Sequence, residues 1–299
     1  MTDVSLDGRV AVVTGAGAGL GRAEAFALAD AGAHVVLNDL PGAADEAAEE
    51  IRARGGQATV VAGDVGERST ADAVLTATAG QLGRLDIVVN NAGVTRDRML
   101  FNLSDEEWDQ VIRIHLRGHF LLSRNAAAHW REVSKATEQP VYGRVINTTS
   151  EAGLGGSPGQ ANYAAAKAGI TALTLSTARG LGRLGVRANA IAPRARTAMT
   201  SGVFGSDESG LEVDPLSVEH VAPLVAYLAS PAADRINGQV FVVYGGMVAL
   251  LAAPVVEQRF DKAGDRWDLA DLDKQLGSYF SDRDPSVCFA ADAVMKLEI

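Results

Sequence analysis

The stretch Arg9-Val10-Ala11-Val12-Val13-Thr14-Gly15-Ala16-Gly17-Ala18-Gly19-Leu20-Gly21 decides how this chain is read. Its first half is a short, β-branched apolar run, the pattern of a strand buried on both faces. Its second half is rich in glycine. Over residues 23–31, Ala, Phe and Leu recur at helical spacing, and the pattern stops at Gly32, a residue suited to the left-handed position after a helix. A strand, a glycine loop and a helix in this order let the backbone turn tightly and approach a pyrophosphate, which then rests on the helix N-terminus. The spacing is Thr-Gly-x-x-x-Gly-x-Gly, at Thr14, Gly15, Gly19 and Gly21; Arg22 stands where the last glycine of G-x-G-x-x-G would be. A purely structural turn could have the same composition, so the loop draws its meaning from the strand and helix on either side.

The alternation continues outward. Residues 34–38 read as a second strand, 43–54 as a second helix ending at Gly55-Gly56, and 58–62 as a third strand. Later strands read at 85–89, 143–147, 186–191 and 239–243, with helical stretches between them. Such alternation implies right-handed crossovers, and hence an α/β fold: a Rossmann-type, doubly wound parallel sheet with helices on both faces. With no repeat, low-complexity tract or clear linker before about residue 250, residues 1–250 are expected to form one dinucleotide-binding and catalytic domain. Residues 251–299 are expected to be a helical extension packed on it. There Leu269, Leu272, Leu276 and Phe280 form a helical stripe, suited to core, subunit contact or lid, and Asp284-Pro285 can start another helix.

Asp39 closes the second strand, eighteen residues beyond Gly21, near the separation expected for the acid that hydrogen-bonds an adenosine ribose. A 2′-phosphate there would meet a carboxylate, and neither Ala18 nor Leu40 supplies a cation to hold one, so NAD is favoured over NADP. An Asp that only starts the turn before Pro41-Gly42 is the alternative. Further on, Tyr163 and Lys167 lie four apart in Gln160-Ala161-Asn162-Tyr163-Ala164-Ala165-Ala166-Lys167, a strongly helix-forming stretch that puts both on one face. A phenol has a pKa of about 10, so proton exchange with an alcohol at neutral pH needs its phenolate stabilised, and a neighbouring ammonium does that.

Composition narrows the partners. The 299 residues are 47% hydrophobic and 21% charged, as in an ordinary globular protein, and the net charge of −10 disfavours nucleic acid. Residues 240–256 carry no charge, but this run is shorter than the roughly 20 residues of a membrane helix. It reads as a strand, a turn and a packed segment, with no membrane insertion. The single Cys288 reads as a small core residue, and no metal-ligand spacing occurs. With no secretory signal at the start, a cytoplasmic location is expected.

Together with Asn90-Asn91-Ala92-Gly93 after a strand, and with Ser150 thirteen residues before Tyr163, these motifs make the sequence resemble the short-chain dehydrogenase/reductase family over residues 6–246. The resemblance implies that Tyr163 exchanges a proton with the substrate oxygen while a hydride moves to or from the nicotinamide. Lys167 would stabilise the phenolate and bind the nicotinamide ribose, and Ser150 would hydrogen-bond the substrate oxygen. Thr14, Gly15, Gly19, Leu20 and Gly21 would form the loop under the cofactor. Asp64 and Val65 would contact adenine, Asn91 would sit near the adenosine ribose, and Gly93 would let the backbone pass close to the cofactor.

Three departures from the family pattern stand out. His115 replaces the usual asparagine, whose backbone carbonyl holds a relay water; it either keeps that backbone role or is only a packed side chain. Pro193-Arg194-Ala195-Arg196-Thr197 replaces Pro-Gly and is one residue shorter. Pro193 and Thr197 would still line the cofactor, Thr197 reaching the nicotinamide amide or a phosphate, while Arg194 and Arg196 could face a substrate phosphate. Tyr244-Gly245-Gly246 replaces Asp-Gly-Gly. These features resemble the dehydrogenase unit of multifunctional β-oxidation enzymes, which oxidise (3R)-hydroxyacyl-CoA thioesters, or 17β-hydroxysteroids, with NAD. That resemblance implies a homodimer or homotetramer paired through the helices carrying His115 and Tyr163. A 3-oxoacyl-carrier-protein reductase and a non-enzymatic dinucleotide-binding protein are the competing readings. Specificity would lie mainly in residues 95–101 and 199–212.

Overall fold

The computed structural model describes residues 3–200, 213–262, 264 and 266–297. Residues 201–212, most of the second expected specificity loop, lie outside them. The order is β1 (Val10–Thr14), α1 (Gly19–Asp30), β2 (His34–Asp39), α2 (Asp45–Ala53), β3 (Gln57–Ala62), α3 (Arg68–Leu75) and β4 (Ile87–Asn90). There follow α4 (Asp105–Ile112), a π-turn (Arg113–Arg117), α5 (Gly118–Thr137), β5 (Gly143–Thr148), α6 (Ala152–Gly155), α7 (Ala161–Leu181) and β6 (Val186–Pro193). After the second specificity loop come α8 (Ala222–Ala229), β7 (Val240–Tyr244) and β8 (Met247–Leu250).

The strands form one sheet in the order β3-β2-β1-β4-β5-β6-β7-β8. The first seven run parallel, and β8 is antiparallel to β7. The order reverses between β1 and β4, and that switch point opens a crevice at the carboxyl ends of the strands. This is the doubly wound α/β sheet expected, and each sequence-read strand lies within two residues of an observed one.

The central strands carry near-continuous apolar runs because both faces are covered, with polar residues such as Asn38, Arg144 and Asn147 as interruptions. Ala11, Val13, Val35, Leu37, Ile87 and Val89 pack under α1, α2 and α8. Their alternate neighbours Val10, Val12, Val36 and Val88 pack under α3 and α5 with Trp130. Each such buried Val, Leu or Ile side chain contributes roughly 1.5–3 kcal/mol.

The C-terminal part departs from expectation. Residues 240–256 hold the strand and the turn, but the hairpin continues into β8, and Val248, Leu250, Val255 and Val256 are exposed rather than packed. A helix does form at Leu269–Leu272 (α9), continuing through Asp273–Gly277 and Ser278–Phe280 with Asp268 as its cap. Its stripe is not core, however, since Leu269 and Phe280 are exposed. The helix meets its own segment, through the Phe260, Tyr279 and Phe280 rings, instead of the sheet. Asp284-Pro285 forms a turn; the next helix, α10, is Asp292–Met295. Cys288 is exposed and not a core residue, because the whole stretch 281–289 lies on the surface. Leu251 still packs on the sheet, and residues 291–297 return to the body, where Ala291, Val294 and Leu297 pack with Ala192, Val242 and Tyr244. No helix of the described residues is long and apolar enough to cross a membrane.

Candidate active site

A cavity of about 600 Å³ occupies the crevice. Its floor is the glycine loop. Gly15 and Gly19 adopt positive φ (66° and 54°), which an L side chain would resist. At Gly21 a Cβ would lie 2.2 Å from the Gly15 carbonyl oxygen and 2.6 Å from Asn91 Nδ2. Gly21 is therefore a packing glycine beneath the cavity, whereas Gly15, Gly19 and Leu20 line it. The α1 N-cap, Ala18, offers no side-chain acceptor, so the N–H groups of the first turn face the cavity uncapped. A helix N-terminus of this kind suits a pyrophosphate. Thr14 is buried and does not line the cavity. Its hydroxyl accepts from the Asn91 and Ala92 N–H groups at 3.0 and 3.1 Å, while Asn91 Nδ2 donates to the Thr14 carbonyl, fixing the end of β4 to the loop.

Asp39 lines the far end of the cavity. Its carboxylate accepts from Gly17 N–H at 2.9 Å and Leu40 N–H at 2.8 Å. Arg22, the nearest cation on α1, pairs with Glu50 and lies over the Phe26 ring. Asp64 and Val65 also line this end. Partial burial pushes the Asp64 carboxyl up, but hydrogen bonds from Arg113 and from Gly66 N–H outweigh it and hold the group below its ordinary range. Pro193 and Thr197 close the other side, and Thr197 Cγ2 lies 3.4 Å from where a Gly19 Cβ would be.

Tyr163 and Lys167 enter from α7, on one face as the four-residue spacing predicts. Lys167 is buried, and its Nζ donates to the Thr148 carbonyl at 2.6 Å while lying 5.4 Å from the Tyr163 ring centre. Burial lowers its pKa to about 7, with the Glu24 carboxylate opposing. Burial raises the Tyr163 phenol, and the neighbouring Ser150 hydroxyl pulls it back down. Ser150 sits on the turn after β5, where its oxygen accepts from Ala152 N–H at 3.2 Å and its own proton stays available. Asn162 holds the start of α7: its Oδ1 accepts from Tyr163 N–H, and its Nδ2 donates to the Arg96 carbonyl.

His115 lies in the π-turn, a widened helical turn of the kind often found at functional sites. The residue borders the cavity, and its ring stands edge-on to Tyr163 with 5.2 Å between ring centres. Nε2 lies 2.7 Å from the Val94 carbonyl and 3.0 Å from its N–H. Burial lowers its pKa to about 3, with the Lys167 charge adding, so the ring is neutral. A Cβ on Gly93 would come within 2.2 Å of this ring, so the space that Gly93 leaves is taken by His115.

Several features escaped the sequence reading. Glu24 is fully buried on α1, and among the described residues neither carboxylate oxygen has a hydrogen-bond partner. Burial raises its pKa to about 8, with Lys167 opposing. Arg194 and Arg196 are not held out towards a substrate phosphate. Arg194 forms a two-pronged ion pair with Glu151, and Arg196 pairs with Asp214.

Residues 9–206 match the short chain dehydrogenase family. The hydroxyacyl-CoA dehydrogenase ChsB1 of Mycobacterium tuberculosis is 59% identical over 300 residues, spanning 97% of this chain and 94% of that protein. The peroxisomal multifunctional enzyme type 2 of Mus musculus is 42% identical over 257 residues, which are 82% of this chain but 33% of that enzyme. The crystal structure of a short chain dehydrogenase from Mycobacterium avium superposes with a TM-score of 0.84 at 44% identity, covering 94% of this chain and 97% of that one. Sheet order, glycine loop and the Tyr163–Lys167 helix thus agree with the sequence match: this chain belongs to the short-chain dehydrogenase family of oxidoreductases that act on hydroxyl groups through a nicotinamide dinucleotide.

Proposed function

We propose that the protein interconverts a secondary alcohol and its ketone with NAD, and that its substrate is a (3R)-hydroxyacyl-CoA. The observation that supports the chemistry is that Tyr163 and Lys167 line a crevice with an uncapped helix N-terminus in its floor, while Ser150, which is not itself among the lining residues, has its hydroxyl beside the Tyr163 phenol. A bound nicotinamide would supply or accept the hydride. Tyr163 exchanges the proton with the substrate oxygen, which the Ser150 hydroxyl steadies by donating to it. Lys167, held by the Thr148 carbonyl, keeps its charge close to the phenol and lowers the cost of the phenolate. His115 stays neutral and braces the Tyr163 ring.

The residues facing the cavity would hold the dinucleotide along Gly15, Gly19 and Leu20, with Asp39 at the adenosine ribose. Preference for NAD rests on that carboxylate and on Arg22 being engaged elsewhere. The acyl-CoA assignment rests on the likeness to ChsB1 along nearly the whole chain. We further read residues 1–250 as the catalytic domain and 251–299 as its extension. The chain would work in the cytoplasm as a homodimer or homotetramer, the half-exposed Trp108, Phe120 and Leu175 on α4, α5 and α7 supporting pairing through those helices.

The test is reduced-nicotinamide absorbance with (3R)- and (3S)-hydroxyacyl-CoAs and 17β-hydroxysteroids, each with NAD and with NADP. Turnover confined to the (3R) thioesters with NAD is expected. Turnover of the steroids alone would overturn the substrate, and a clear preference for NADP would favour the carrier-protein reductase reading.

A further inference from the structure

Ser150 sits on a weak element. The turn that follows it, α6, has four residues, two of them glycine, and a single helical turn has no stability of its own. On one side it leans on α7, where Gly153 is so close that a Cβ would lie 2.6 Å from Ala168 N. On the other side it meets Arg194. The guanidinium donates to Glu151 from Nε and Nη2, both at 2.7 Å, then to the Val294 carbonyl from Nη2 at 2.7 Å and to the Leu297 carbonyl from Nη1 at 2.6 Å. A planar fork with five donors can serve a carboxylate and two carbonyls at once; a lysine cannot. Tyr244 lies 4.5 Å beneath the guanidinium and donates to the same Leu297 carbonyl at 2.6 Å. Ala291 N–H donates to the Leu154 carbonyl of α6 at 3.0 Å, and Val294 is buried beside Tyr244. Two of the residues that depart from the family pattern, Arg194 and Tyr244, thus grip the returning end of the chain.

We propose that Arg194 and Glu151 are positioning residues that use residues 291–297 as a brace, holding the Ser150 turn in register with the substrate oxygen. Among the described residues none of 291–297 lines the cavity, so the segment acts through the Ser150 turn, whose hydroxyl neighbours the cavity-lining Tyr163, and not by touching what binds. The proposal rests on the reading of Ser150 as the substrate-oxygen donor.

Two variants test it: Arg194→Gln, and a chain ending at Ala290. Each should lose at least tenfold in kcat while NADH affinity, read by nicotinamide fluorescence, stays within twofold. The double variant should be no slower than the slower single one, because both changes remove one junction. Amide exchange at residues 153–156 should quicken by a similar factor in all three, with β5 unchanged, and Arg194→Lys should resemble Arg194→Gln. Additive losses, or NADH affinity falling in step with kcat, would overturn the proposal. Unchanged exchange at 153–156 would do so too. If the unmodified protein oxidises no alcohol, the proposed function fails, and the exchange measurement alone then decides whether the brace exists.

Discussion

Glu24→Gln tests how the molecule carries a buried acid. The Glu24 carboxyl is fully buried without a hydrogen-bond partner among the described residues, and its pKa rises from an ordinary 4.5 to about 8. A folded-state pKa above the unfolded one means that the folded chain binds more protons in between. Stability from this group is therefore fully present below about pH 4.5 and is lost as pH rises through 8. Glutamine fills the same space with no charge to bury. Relative to the variant, the unmodified protein should lose little at pH 5 and about 5 kcal/mol at pH 8.5, so the gap between them widens by about 4 kcal/mol, at roughly 1.4 kcal/mol per unit. Urea unfolding of both proteins without cofactor, at equal concentration and at the two pH values, measures this gap. A gap equal at both pH values within 1 kcal/mol would refute the reasoning, as would one that widens towards acid.

Tyr163→Phe should lower turnover by about 10² to 10⁴ while leaving NADH affinity nearly unchanged, since only the hydroxyl is removed; a tenth of the original rate with a confirmed substrate would disprove its role. Lys167→Ala should weaken both turnover and NAD affinity, which steady-state kinetics and fluorescence titration separate. Asp39→Ala, combined with an arginine at Leu40, should move preference towards NADP, measured as the ratio of kcat/KM values. Gly93→Ala should destabilise by about 1–3 kcal/mol because its Cβ meets the His115 ring, and adding His115→Ala should recover much of that in thermal unfolding.

The fold was legible because its strands are buried on both faces, which forces near-continuous apolar runs such as Val10–Thr14, and because glycine is favoured where the loop needs positive φ, as at Gly15 and Gly19. The Tyr163–Lys167 pair was legible for a local reason: four residues is one helical turn. Glu24 was not. An acidic residue on a helix ordinarily faces water, and only the tertiary packing of α1 shows that this one does not. Nor could any local pattern join Arg194 to Glu151, 43 residues away, or to Leu297, 103 residues away. The tail misled in the opposite direction, because a stripe of Leu and Phe says that a surface is apolar without saying what lies against it. Cys288 failed for the same reason.

The π-turn at Arg113–Arg117 has a consequence for how this chain tolerates insertions and deletions. A π-turn is an α-helix that has accommodated one extra residue, and each residue turns the helix by about 100°. Side chains of α4 and α5 therefore follow two rotational phases, and no single 3.6-residue pattern runs from Asp105 to Thr137. Losing one residue here would let the two helices merge into one ordinary helix at little backbone cost. It would also swing every side chain on one flank by about 100° against the other, carrying His115 off the Tyr163 ring or turning Trp130 out of the core. A shortened relative should therefore keep its helix and yet need a different residue to back the tyrosine.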